Sequence, residues 1–344
     1  MDEVEGVTEI EIWAASREDL AGHLFFKTSG SSGSEKWIAL SREALEWSAK
    51  SVIEALGIGS DDVLGLALPT IHVGGYGVVV RAEISGARLA RFEEKWDADR
   101  FALWCECEKV TVSSLVPTQV HDLVQTGRYG PKDLRVIVVG GGALDENLKE
   151  QARQQGWPVV PSYGMTETSS QVATGDGLPL LPGWEAKLVD GRLALRGGGL
   201  LTAIIVKKGD SFYAEDPKVD GWYLTSDRVE LRNSGLTFLG RADRVVKVLG
   251  ELVDLEEIER FWKKRLGEEV VVLALEDERR GSVLHLYHEG PPVNLTKWNN
   301  QRSGPERLAD WKAMEPLPRS PLGKIDRAAL FKIQQDKDCN HSGN

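Results

Sequence analysis

Lys27-Thr28-Ser29-Gly30-Ser31-Ser32-Gly33-Ser34-Glu35-Lys36 is a run of hydroxyls and glycines closed by a lysine. Phe25 and Phe26 before it read as the end of a buried strand and Trp37-Ile38-Ala39-Leu40 after it as the start of another, so the run is an exposed connection. Glycines let successive N–H groups turn toward one centre, hydroxyls add donors, and Lys36 supplies a point charge, which together suit a polyphosphate cradle. A Walker A loop is excluded, because Gly30 and Gly33 stand too close together and a tryptophan follows Lys36. Taken alone, the stretch also fits a flexible Ser/Gly linker. The segments around it decide between the two.

Downstream, Ser41 caps a helix whose apolar positions Leu45, Ala49, Val52, Ile53 and Leu56 recur at helical spacing until Gly57 and Gly59. Strand patterns at 63–69, 88–92, 110–116, 134–139 and 159–162 then alternate with helical patterns at 78–84, 97–108, 118–124 and 144–155. That rhythm predicts βαβ units and a mostly parallel sheet with helices on its faces. After Tyr163 come short strands broken by Gly and Pro, a small antiparallel region. From Val245 onward a helix opened by Asp254-x-x-Glu257, with strands at 270–275 and 283–288, predicts a small α+β domain. The expected division is 1–240, 241–335 and a frayed polar tail over 336–344.

The chain has 344 residues, 41% of them apolar and 28% charged, enough for two domains with sizeable cores. A net charge of −11 argues against nucleic acid or an anionic membrane as partner. Three cysteines in no zinc pattern, no basic leader and no long apolar run predict a cytoplasmic protein in a reducing compartment.

Several later stretches carry chemistry. Ser162-Tyr163-Gly164-Met165-Thr166-Glu167-Thr168 follows a strand end and, with Gly140-Gly141-Gly142 after the preceding strand, offers a flat floor, an aromatic face and one carboxylate. Those parts suit an adenine ring and a metal-bound phosphate. Asp227 after a strand, with Arg241 shortly beyond, suits a ribose. Lys324 lies on a Gly/Pro-shaped loop before the last helix.

In order and spacing these motifs resemble the adenylate-forming superfamily of acyl-CoA synthetases, luciferases and peptide-synthetase adenylation domains, from about Leu24 to Leu330. The resemblance implies an α/β fold: a large domain with a mostly parallel sheet plus a small antiparallel β region, then a small mobile α+β C-terminal domain. It implies that Thr28, Ser29, Gly30, Ser31, Ser32, Gly33 and Lys36 bind ATP phosphates. Gly141, Gly142, Tyr163, Gly164, Met165, Asp227 and Arg241 complete the ATP site, and Glu167 binds Mg²⁺ beside Thr166. Lys324 is the implied catalytic lysine, Asp243 the hinge, and Gly250 the place where CoA's pantetheine arm passes. The implied reaction joins a carboxylic acid to AMP and then to CoA.

Within the superfamily, the stretches 68–75, 113–119 and 162–171 look most like o-succinylbenzoate:CoA ligases of menaquinone biosynthesis. Arg81 interrupts the apolar run Val78-Val79-Val80-Arg81-Ala82, where it is exposed, paired with Glu83 or Glu93, or forked onto the spare carboxylate of a dicarboxylate substrate. His72, Ser162 and Thr168 are the other expected acid-site residues. Another carboxylic acid as substrate, or an idle nucleotide-binding scaffold, are the competing functions. Some 26 residues precede the phosphate loop, fewer than in relatives, which predicts an absent flanking layer and a sheet open to a partner or a second copy. Glu35 also stands in the loop's Pro-Lys-Gly region, and Ser226 replaces a usual glycine.

Overall fold

A computed structural model describes residues 3–29, 35–232, 235–267, 269–277, 280–302, 304–319 and 325–341. Described residues up to Thr225, with Glu230–Thr237, form one compact unit; Ser226–Val229 and those from Phe238 on form another. The boundary expected at Gly240 lies within the strand Gly235–Arg241, through which this division passes.

The first unit is built on a six-stranded sheet in the order 88–91, 63–66, 112–115, 136–139, 159–165, 170–174. Its first five strands run parallel, and Ser170–Thr174 returns antiparallel to Val159–Met165. Successive residues of one strand point to opposite faces. Accordingly Ile137 joins a core with Phe101, Val120, Leu123 and Trp157, while Val136 packs with Leu64, Leu66, Val78 and Ala82. Both faces are thus covered by helices, as parallel strands require. The helix Arg42–Leu56 starts where Ser41 Oγ accepts the Ala44 N–H at 3.1 Å and ends at Gly57, whose φ of 58° needs no strained side chain.

A second sheet pairs Leu24–Ser29 with Glu35–Leu40, and the latter with Ala203–Lys208, all antiparallel. One face packs Phe26, Ile38 and Leu40 against Leu45 and Val73. The other packs Trp37, Ala39 and Ile205 under Ile10 and Ala14 of the helix Glu3–Ala15. That face of the hairpin sheet is covered by a helix that its alternating acidic and apolar residues conceal in the sequence.

The second unit contains the hairpin Val245–Val248/Glu251–Asp254, the helix Leu255–Leu266, and a sheet in which Val270–Asp277 pairs antiparallel and Leu308–Ala313 parallel with Gly281–His288. Val253, Ile258, Trp262, Val272 and Leu284 form its core. The last helix runs Arg327–His341, past the point where a frayed tail was expected. No described helix is long and apolar enough to cross a membrane.

The helix Val73–Ser85 is seated on the end of the strand Val63–Leu66 by one glycine. A Cβ on Gly75 would lie 2.3 Å from the Pro69 carbonyl oxygen, whereas one on Gly74 would meet only a side-chain carbon at 3.8 Å. Gly75→Ala is therefore expected to destabilise by about 1–3 kcal/mol through overpacking against backbone. Gly74→Ala should be neutral or stabilise by up to about 1 kcal/mol through helix propensity. Chemical denaturation of the two variants checks the contrast, and equal effects would contradict it.

Candidate active site

In the first unit, the strand Val63–Leu66 has Arg88–Arg91 on one side and Val112–Leu115 on the other, so the chain reverses its direction of travel across the sheet between them. Loops that leave adjacent parallel strands on opposite faces open a crevice at the carboxyl edge. The expected residues follow those strand ends: His72 caps the helix after the first, Gly140–Gly142 follow Val136–Val139, and Thr166–Thr168 follow Val159–Met165. Gly141 takes φ 79°, a left-handed turn conformation that suits glycine.

The turn at 166–168 is tightly specified. Thr168 is wholly buried, and its hydroxyl accepts the Met165 N–H at 3.1 Å while lying 3.0 Å from both the Met165 and Ser170 carbonyls. Its role is therefore to close the turn. Gly164 passes so close to the returning strand that a Cβ would sit 1.8 Å from the Ser170 carbonyl oxygen. Ser170 itself takes φ 108°, an uncommon value for a side-chain-bearing residue, of the kind found where a site is held in place. The half-buried Glu167 is carried on this turn, with its carbonyl accepting the Leu201 N–H at 2.9 Å.

The hairpin mouth belongs to the same unit. Thr28 and Lys36 stand opposite each other in register, and the strand Glu35–Leu40 lies against the 166–168 turn. Gly30, Ser31, Ser32 and Gly33 lie outside the described residues, as does the Ser29 side chain. The Thr174 hydroxyl donates to Gln171 Oε1 at 2.7 Å, and its oxygen lies 3.1 Å from Ser162 Oγ. This polar chain, with Ser170, was missed as a site feature. The returning strand that creates it follows a turn with no Gly or Pro to mark it.

Arg81 faces the same strand from the helix Val73–Ser85. It is 3% exposed, and among the described residues no carboxylate pairs with it. Neither Glu83 nor Glu93 is a partner, and exposure is excluded as well. Burial alone pulls its pKa down to about 10. Gly77 and Ser170 border the guanidinium: a Cβ on Gly77 would lie 3.3 Å from Arg81 Nη1 and 3.7 Å from Ser170 Oγ. The result is a buried cation beside small residues.

The second unit holds the other expected residues. Arg241 forks onto Asp243, with Nε to Oδ1 at 2.9 Å and Nη2 to Oδ2 at 2.7 Å, and also reaches Asp227 Oδ1 at 3.1 Å. Burial is the largest single influence and raises the Asp243 pKa, but the hydrogen bonds from Arg241 together with the Arg241 and Arg244 charges outweigh it, and the net shift is downward. Gly250 has a local cause. It and Leu249, at φ 87° and 53°, form a two-residue turn between the paired Val248 and Glu251, and a Cβ on Gly250 would meet nothing within 4 Å. Lys324 lies outside the described residues. On either side of it, Arg319 pairs with Ile325 and the Asp326 N–H donates to the Pro318 carbonyl at 2.7 Å.

A family model described as AMP-binding enzyme matches residues 6–195, more than half of the chain. The 2-succinylbenzoate–CoA ligase of Escherichia coli (strain K12) is 30% identical over 88% of this chain and 67% of its own length. That of Listeria monocytogenes serotype 4b is 30% identical over 93% and 71%. A solved o-succinylbenzoate CoA synthetase from Bacillus subtilis, in complex with its acyl-adenylate intermediate, superposes with a TM-score of 0.76 at 26% identity, covering 89% of this chain and 68% of that one. The same enzyme in complex with ATP and magnesium gives 0.73 at 26%, over 88% and 68%. The chain thus spans about two thirds of these relatives' length. Placed on this sheet edge and matched over that span, the chain belongs to the AMP-binding, adenylate-forming enzyme family.

Proposed function

We propose that this chain is an ATP-dependent acid:CoA ligase whose acid is o-succinylbenzoate. The observation that carries the choice of acid is Arg81, a buried guanidinium with no carboxylate partner among the described residues. Leaving such a charge unpaired is unfavourable by several kcal/mol, so the position implies a ligand that brings the counter-charge. A dicarboxylate activated at one end has a second carboxylate to offer. A simple fatty acid has none.

In the first half-reaction, a substrate carboxylate oxygen bonds to the α-phosphorus of ATP while the bond to the bridging pyrophosphate oxygen breaks. Acyl-AMP and pyrophosphate result. Thr28 and Lys36 at the hairpin mouth are suited to the phosphates, and Lys324 supplies positive charge to offset the negative charge that develops on the α-phosphoryl group. Glu167 fits Mg²⁺: one carboxylate on a fixed turn is enough for an ion that keeps waters and phosphate oxygens as its remaining ligands. When bound, that ion offsets phosphate charge. In the second half-reaction the CoA sulfur bonds to the acyl carbon, the mixed anhydride breaks, AMP leaves, and the thiol proton passes to solvent.

Two outcomes test this reading. Arg81→Met should raise KM for o-succinylbenzoate roughly 10- to 100-fold, the worth of one charge-assisted contact of about 1.5–3 kcal/mol. The unliganded variant should be at least as resistant to denaturant as the parent, since it loses an unpaired charge. Unchanged KM with a marked loss of stability would make Arg81 structural and remove the case for this acid. Separately, Lys324→Ala should lose acid-dependent pyrophosphate release while preformed acyl-adenylate still reacts with CoA. Equal loss of both steps would contradict a lysine dedicated to adenylation.

A further inference from the structure

The second unit contains a buried charge cluster that the reading above does not use. Glu259, on the helix Leu255–Leu266, is 8% exposed and receives three hydrogen bonds. Arg244 Nη2 donates to Oε1 at 2.5 Å, the Val272 N–H to the same oxygen at 2.8 Å, and Arg327 Nη2 to Oε2 at 2.9 Å. Arg244 Nη2 also reaches the Val272 carbonyl at 3.1 Å. A core-facing helix position would ordinarily be filled by Leu or Ile, and a buried carboxylate holding two guanidiniums is not the most stable filling available.

What distinguishes the cluster is where its two arginines stand. Arg244 is the residue after Asp243, and Arg327 comes three residues after Lys324, at the first turn of the last helix. One turn earlier on the same helix face, Glu256 Oε2 accepts the Arg241 N–H at 3.2 Å. A single face therefore grips the peptide on both sides of Asp243 and, through Glu259, the foot of the lysine-bearing segment. That foot is braced again where Arg319 Nη2 meets both oxygens of Glu289, at 2.9 and 2.8 Å.

We propose that Glu259 is a positioning residue for the adenylation step, tying the peptide at Asp243 to the base of the Lys324 loop so that the two move as one body. This rests on the reading of Lys324 as the adenylation lysine. An ammonium must reach the α-phosphoryl oxygens to within a fraction of an ångström to be effective, so loosening its base lowers turnover without removing any contact to the nucleotide.

The test uses Glu259→Gln, Arg327→Lys and Lys324→Ala in the full chain, with o-succinylbenzoate, ATP, Mg²⁺ and CoA. Glu259→Gln should lower kcat for pyrophosphate release roughly 10- to 100-fold with KM for ATP within about twofold, and leave thioester formation from preformed acyl-adenylate within about twofold. Arg327→Lys keeps the charge on a partly exposed side chain and should give a smaller loss of the same kind. In both variants amide hydrogen exchange should rise in residues 325–331, and in Glu259→Gln also in 241–246, while the strand Val270–Asp277 stays protected. Unchanged exchange at 325–331 overturns the tie whatever the activity. Equal slowing of both half-reactions overturns it in favour of a structural ion cluster. A dead Lys324→Ala beside an unimpaired, folded Glu259→Gln overturns it alone, and an unimpaired Lys324→Ala overturns it by way of the lysine reading itself.

Discussion

A guanidinium without a counter-charge among the described residues, held among apolar side chains behind the carboxyl edge of a parallel sheet, is the constraint on which the rest of this structure depends. Arg81 sits on a helix whose neighbouring positions Val78, Val80 and Ala82 are all buried, so it cannot snorkel to solvent as a surface arginine would. Gly77 and Ser170 leave its guanidinium room in place of a salt-bridge partner. The fold tolerates the unfavourable charge because two apolar cores, one on each face of the sheet, supply ample stability. What compensates it directly is proposed to arrive with the substrate.

The same economy of space governs the turn beside it. Gly164 must have no side chain because the Ser170 carbonyl occupies that position, and Thr168 spends its hydroxyl on the turn's own backbone groups. Glu167 is therefore presented by a rigid frame. For the metal-binding role proposed for Glu167, a fixed position matters more than a crowd of fellow ligands.

Much of this could be read from the residues, and the exceptions have physical causes. The βαβ alternation, the Ser41 cap and the Asp254 box are local signals, and the structure places helices and strands where they predict them. The helix Glu3–Ala15 was not legible, because its apolar residues find their burial only against Trp37 and Ile205, far along the chain. The return strand Ser170–Thr174 was hidden likewise, since φ 53° at Ser169 and 108° at Ser170 are carried by serines rather than glycines. The Arg81 alternatives could be separated only by burial and partners, which no window of sequence contains. Gly250 also meets a local need that the sequence reading did not name, since it closes a two-residue turn between paired strands.

The ion pairs of the second unit differ in a way that bears on motion about Asp243. Arg241 is 44% exposed at its side chain, and its links to Asp227 and Asp243 are partly open to solvent. The Arg241–Asp243 pair, with side chains 44% and 29% exposed, is worth about 0–1 kcal/mol, whereas Asp227 is only 7% exposed, so releasing Arg241 there costs more. The side chains of Glu259 and Arg244 are only 10% and 16% exposed, and separating them would strand charges in a low-dielectric interior. The proposed rotation about Asp243 would therefore disturb the Arg241–Asp243 pair before it disturbed the Glu259 cluster.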